Sequence, residues 1–114
     1  MINNLNSLLL EGTLTNDPVH DKNGLVTFTL SSINQIKSGK ESIEKVNHFN
    51  ITVKGKRLSD ICFNTLRSGR KVRIVGYLME VVESNKKHEN TSIDIIAEHI
   101  EFKPVKIADS AIIS

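Results

Sequence analysis

The sequence predicts a mainly β domain carrying a single helix: five strands closing into a small barrel, with the helix between the third and fourth strands. Three observations predict it. Val26, Phe28 and Leu30 alternate with Thr27, Thr29 and Ser31, the period of two that marks a strand with one buried face. From Lys56 to Arg67, the residues Leu58, Ile61, Cys62, Thr65 and Leu66 recur at spacings of three and four, the stripe of a helix lying on a core. The stretch Ser68 to Leu78, SGRKVRIVGYL, runs from a helix-stopping Gly69 into an alternating strand. In that strand Val72, Ile74 and Gly76 point one way, while Lys71, Arg73 and Tyr77 point the other.

The elements follow in order. The first strand is expected over Leu5 to Leu14 and ends at Asn16, Asp17 and Pro18, a cluster that turns the chain and removes a backbone donor. The Val26 strand follows a loop holding Asn23 and Gly24. Residues Asn34 to Lys45 are polar, carry Gly39 and read as a loop or loose hairpin tip. The third strand is expected over Val46 to Lys54, with Phe49, Ile51 and Val53 inward and His48, Asn50, Thr52 and Lys54 outward. The fourth strand covers Lys71 to about Glu83. A polar tip with Asn85, Lys86, Lys87, His88 and Asn90 leads to the fifth, Ser92 to Phe102. Phe28, Phe49, Ile51, Val53, Leu66, Val72, Ile74 and Leu78 are the expected core.

This order, three strands, a helix and two strands, is that of the OB-fold barrel; an SH3-like barrel and an open five-stranded sheet fit the same pattern. A chain of 114 residues is long enough for one core and too short for two. The expected division is a barrel domain over 1–103 and a flexible tail over 104–114. One cysteine, Cys62, rules out an intrachain disulfide framework, and no apolar run approaches the length of a membrane span. The expectation is a cytoplasmic chain without a membrane role. His20, His48, His88 and His99 share no ligand-like spacing, so no metal or other cofactor is expected. No phosphate-cradling glycine loop or nucleophile elbow appears, and an enzyme is not expected.

A net charge of +2 permits a nucleic-acid partner without requiring one, so the placement of cations carries the functional reading. An OB fold binds with its second and third strands and the neighbouring loops. That singles out Lys54, Lys56 and Arg57 at the end of the third strand, with His48 and Asn50 on its outer face. Lys37 and Lys40 in the loop before it, Lys86 and Lys87 in the later tip, and Arg73 on the fourth strand are further candidates for contact with a nucleic-acid backbone.

Several segments together resemble the bacterial single-stranded DNA-binding proteins: GTLTNDP from Gly12, FTLSS from Phe28, HFNITVKGK from His48, SGRKVRIVGYL from Ser68 and IAEHIEF from Ile96. The resemblance implies an OB fold, assembly into dimers or a homotetramer, and binding of single-stranded DNA without strong sequence preference during replication, repair and recombination. It places Ile36, His48, Lys54 and Glu83 where well-studied members carry stacking Trp or Phe. This chain has no Trp, and of its five aromatic residues only Tyr77 reads as clearly outward. Base stacking contributes roughly 1–3 kcal/mol per base, so the expected binding is weak and, being left to phosphate neutralisation, strongly salt-sensitive. The tail KPVKIADSAIIS lacks the acidic, aromatic-ended tip with which many members recruit replication and repair proteins. Three alternatives stay open. Short, aromatic-poor OB proteins of primosomes bridge replication-restart proteins and DNA, and a barrel without stacking residues can also serve purely as a protein-interaction module. RNA binding would use the same electrostatics.

Overall fold

The computed structural model describes residues 4–84 and 89–104. The elements are β1 (Leu8–Leu14), β2 (Val19–His20), β3 (Val26–Ser38), β4 (Glu41–Val53), α1 (Lys56–Thr65), β5 (Lys71–Ser84) and β6 (Glu89–Phe102). The strands run in the order β1-β5-β6-β4-β3-β2, and a β1–β3 pairing closes the sheet. Closure is made by Thr13 opposite Ser31 and Leu14 opposite Leu30. All pairings are antiparallel except β4 with β6, which is parallel over Ile51–Ile95, Thr52–Ile96 and Val53–Ala97. Five strands form the barrel, and β2 is a short edge piece on β3. Counting it, the helix follows the fourth strand rather than the third, because the segment after Pro18 pairs with Val26 and Thr27 instead of remaining a loop.

The alternation read in the sequence builds the core. Val26, Phe28 and Leu30 of β3 meet Ile51 and Val53 of β4, Val72 and Ile74 of β5, and Ile95, Ala97 and Ile100 of β6. On β6 the inward parity switches from odd to even. The cause is a bulge: Val75 faces His99 but Gly76 faces Ala97, leaving Glu98 as an extra residue, the two-against-one count of a β-bulge. Helix α1 covers one end of the barrel with a narrower stripe than expected. Cys62 and Leu66 are buried and Leu58 packs beside them, whereas Ile61 and Thr65 face solvent.

Four further expectations are corrected. The first strand begins at Leu8 rather than Leu5 because Asn6 holds β5 with its side chain: its amide donates to the Leu78 carbonyl and its carbonyl accepts from the Leu78 N–H. Gly69 takes a left-handed φ of +92° but is not the helix stop. The helix ends at Thr65, with Leu66 already extended and its N–H donating to the Cys62 carbonyl. Leu78 is not core but 48% exposed, because β5 overshoots the barrel. Finally, 34–45 is no loop: β3 and β4 pair through to Ser38 opposite Glu41. They are joined by Gly39 and Lys40, with Gly39 at φ +65°, the positive φ that a tight hairpin of this kind requires.

Candidate nucleic-acid interface

The outer face of β3 and β4 follows from their register. Thr27 lies opposite Thr52, Thr29 opposite Asn50, and Ser31 opposite His48. The parallel ladder brings Ile96 beside Thr52, and Tyr77 pairs with Ile96 in turn. One row of side chains therefore crosses four strands, from Thr27 through Thr52 and Ile96 to Tyr77. A second row carries Thr29 and Asn50, with Asp94 opposite Met79. Between them lies a cavity of about 210 Å³ whose lining includes Asn16, Thr27, Thr29, Asn50, Thr52 and Asp94. The hydroxyls and amides suit hydrogen bonding to bases and sugars, and the ring of Tyr77, half-buried, is the one aromatic surface in the rows.

Lys54 stands at the end of this face. Its ammonium is 3.6 Å from a Glu98 carboxylate oxygen and 5.4 Å from the centroid of the Tyr77 ring, so the bulge that presents Glu98 also helps fix the lysine. With its side chain 57% exposed, Lys54 keeps access to solvent and to a phosphate. His48 and Asn50 are exposed on the same strand. The structure thus brings together His48, Asn50 and Lys54 as the sequence suggested.

The other sequence candidates are placed differently. Lys56 begins the helix and pairs one turn on with Asp60 at 3.1 Å; Arg57 beside it is exposed, without an ion pair among the described residues. Lys37 lies in the outer part of the β3–β4 hairpin and Lys40 in its turn, both exposed. Lys86 and Lys87 lie outside the described residues, as does the tail from 105 onward; Glu83 is in β5, but its side chain is not described. Arg73 is elsewhere and committed: it meets Glu11 at 3.1 Å and Glu101 at 3.8 Å. Lys71 and Lys103 reach the same Glu11 at 3.6 and 3.4 Å. The Arg73 guanidinium, with Lys103 and Lys71 behind it, holds the Glu11 carboxyl below the usual carboxylate range.

The hairpin arm beyond the barrel carries aliphatic residues that lack a core. Ile33 faces Val46 and Ile36 faces Ile43, with exposures of 61%, 43%, 51% and 54%. The sequence reading missed the arm because these pairs sit at opposite parities, so neither face shows sustained alternation. It also missed Asn16 and Asp94, which reach the face only through a long-range loop contact and the parallel β4–β6 pairing; the outward Thr27 and Thr29 were the available signal.

A model of the single-strand binding protein family matches residues 5–103. The chain belongs to that family. Among curated relatives, a single-stranded DNA-binding protein of Caldanaerobacter subterraneus subsp. tengcongensis is 29% identical over 103 residues, spanning 86% of this chain and 67% of the relative. Among solved structures, the Plasmodium falciparum SSB in complex with ssDNA superposes with a TM-score of 0.82 at 22% identity, over 91% of this chain and 99% of that one. A small single-stranded DNA-binding protein from Streptomyces coelicolor superposes with a TM-score of 0.65, also at 22% identity, over 85% and 93%. These likenesses agree with the closed β barrel and single helix described above, the architecture of an OB fold.

Proposed function

We infer that the protein binds single-stranded DNA along the outer face of β3 and β4, without catalysing a reaction. The observation that carries this is the alignment of His48, Asn50 and Lys54 on one exposed strand face, opposite Ser31 and Thr29, in a chain whose family match spans all of them. Lys54, with Arg57 and Lys56 beyond it, neutralises phosphates; Asn50 and the threonines hydrogen-bond; His48 and Tyr77 offer ring surface. Lys37 and Lys40 extend the contact from the β3–β4 hairpin, Lys86 and Lys87, outside the described residues, add to the positive charge, and Arg73, engaged by Glu11 and Glu101, takes no direct part. Because Lys54 shares its charge with Glu98, and Asp94 lies on the same face, affinity is weak; because phosphate neutralisation carries most of what remains, that affinity is lost as salt rises.

The protein acts in the cytoplasm on DNA exposed during replication, repair and recombination, as a dimer or homotetramer. Leu9 and Val75, opposite each other across β1 and β5 and 66% and 38% exposed, support self-association. The barrel domain ends near residue 103, and the tail expected after it lies, from 105 onward, outside the described residues. Counted without β2, the helix falls between the third and fourth strands of the OB barrel. A second reading, a primosome-type protein that bridges restart proteins and DNA, is favoured by the exposed aliphatic pairs Ile33–Val46 and Ile36–Ile43.

Fluorescence anisotropy tests the choice, with a labelled dT oligonucleotide of about thirty-five nucleotides, longer than the ~4–16 one such barrel covers, at about 50 and 200 mM salt. Binding at low salt that Lys54→Glu weakens supports the DNA reading. No binding at either salt overturns the DNA reading and leaves a barrel that serves purely as a protein-interaction module.

A further inference from the structure

Asp94 is out of place on a face that meets phosphates. It is half-buried, lines the 210 Å³ cavity and has no ion-pair or hydrogen-bond partner among the described residues. A carboxylate at such a position repels a nucleic-acid backbone, whereas against a base edge it accepts hydrogen bonds from ring and exocyclic N–H groups. The rest of the cavity supplies the opposite polarity. Asn16 accepts the Thr29 backbone N–H through its Oδ1 at 2.9 Å, which leaves its amide NH₂ as a donor, and Asn50 across the cavity has a second amide. The volume is below the ~300–1,000 Å³ of clefts that enclose drug-sized ligands, suited to one planar heterocycle.

Matching these groups to the Watson–Crick edges of the four bases decides among them. Thymine presents one donor between two acceptors, so a carboxylate meets at least one repelling oxygen. Cytosine and adenine each present one exocyclic amine beside a ring-nitrogen acceptor. Guanine alone presents two adjacent donors, N1–H and N2–H₂, which a carboxylate accepts side by side, and its O6 acceptor suits an amide NH₂.

Resting on the reading that the protein binds single-stranded DNA, we propose that the cavity bounded by Asn16, Asn50 and Asp94 is a guanine subsite, Asp94 accepting from N1–H and N2–H₂ and an asparagine amide donating to O6. In a chain without stacking tryptophans, this replaces part of the lost stacking with edge recognition and gives an otherwise tolerant protein a mild base preference.

The test compares three oligonucleotides of equal length by anisotropy at low salt in a lithium buffer, which discourages guanine quadruplexes: all-dT, dT with isolated guanines, and dT with hypoxanthine at those positions, which lacks the N2 amine. Wild type is expected to bind the guanine-bearing strand about fivefold or more tightly than all-dT, from the ~1–3 kcal/mol discrimination of a bidentate base contact, with hypoxanthine between them. Asp94→Asn should bring the guanine strand level with all-dT, with all-dT itself bound more tightly because a repelling charge leaves the face; its unfolding temperature, matched to wild type, excludes misfolding. Equal wild-type affinity for the three strands, or a guanine preference that survives Asp94→Asn, overturns the proposal. Failure of wild type to bind any strand, including all-dT, overturns it together with the DNA-binding reading beneath it.

Discussion

Replacing Gly76 by alanine probes the joint that positions the binding face. Gly76 sits at the bulge where β5 and β6 change register. A Cβ there would collide with the Ile96 carbonyl oxygen and lie 2.9 Å from the Ile96 carbonyl carbon and 3.2 Å from the Ala97 Cα. All are backbone atoms and cannot rotate aside. Nor can that stretch of β6 retreat easily, since Ile96 and Ala97 are held on their other side by the parallel ladder to Thr52 and Val53. Overpacking of this kind costs about 1–3 kcal/mol, and a rigid backbone obstacle places Gly76→Ala at the upper part, about 2–3 kcal/mol. At ~4–8 °C per kcal/mol for a domain of this size, the unfolding temperature should fall by roughly 10–20 °C. Val82→Ala, on the same strand but 49% exposed, is the control and should change stability by no more than about 0.5 kcal/mol. Thermal unfolding followed by circular dichroism reads both. A Gly76→Ala protein melting within two or three degrees of wild type would refute the reasoning: β5 and β6 would then not be held in the register that aims Tyr77 and Glu98 at Lys54.

Three other outcomes are expected. Lys54→Gln should reduce the slope of log affinity against log salt by about 0.7, the contribution of one single-strand phosphate contact, while Arg73→Gln leaves the slope unchanged; equal effects in a salt titration would contradict the assignment of the face. Glu11, its carboxyl lowered mainly by Arg73, contributes stability that is present above the unfolded carboxylate range, near pH 4.3, and is lost as pH falls through its lower folded value. The stability gap between wild type and Glu11→Gln, measured by urea midpoints, should therefore be constant at neutral pH and close in acid; a gap that widens in acid would show the opposite sign. Burial pushes the Cys62 thiol up to about 11, so a disulfide reagent at pH 8 should label it only in denaturant, and rapid labelling of the native protein would show that α1 does not seal the barrel end.

Much of this architecture was legible in the chain because its signals are local. The alternation at Val26–Leu30 and Val72–Ile74 fixed which faces are inside, and the helix stripe placed Cys62 and Leu66. What escaped was set by partners distant in sequence. The bulge at Glu98 reverses the parity of β6 only because β5 pairs with it in two registers. Leu78 keeps the inward parity of Ile74 yet is exposed, since periodicity records a face and not where the barrel ends. The arm from Ile33 to Val46 resembled a polar loop because its apolar residues split between two faces and its stability comes from cross-strand pairing. For the site, the sequence named His48, Asn50 and Lys54, which lie on β4 and on the residue that follows it. It could not show that Arg73 is held by Glu11 and Glu101, nor that Asn16 and Asp94 meet across a cavity, since both depend on chain segments brought together by folding.

The central claim is that one face of this barrel, the outer side of β3 and β4, carries single-stranded DNA. Backbone amide chemical-shift mapping during titration with a dT oligonucleotide tests it most directly. The expected shifts cluster at Thr29, Ser31, His48, Asn50 and Lys54 and spare Glu11, Arg73 and Glu101; shifts centred on the Glu11 cluster, or none anywhere at low salt, would contradict it.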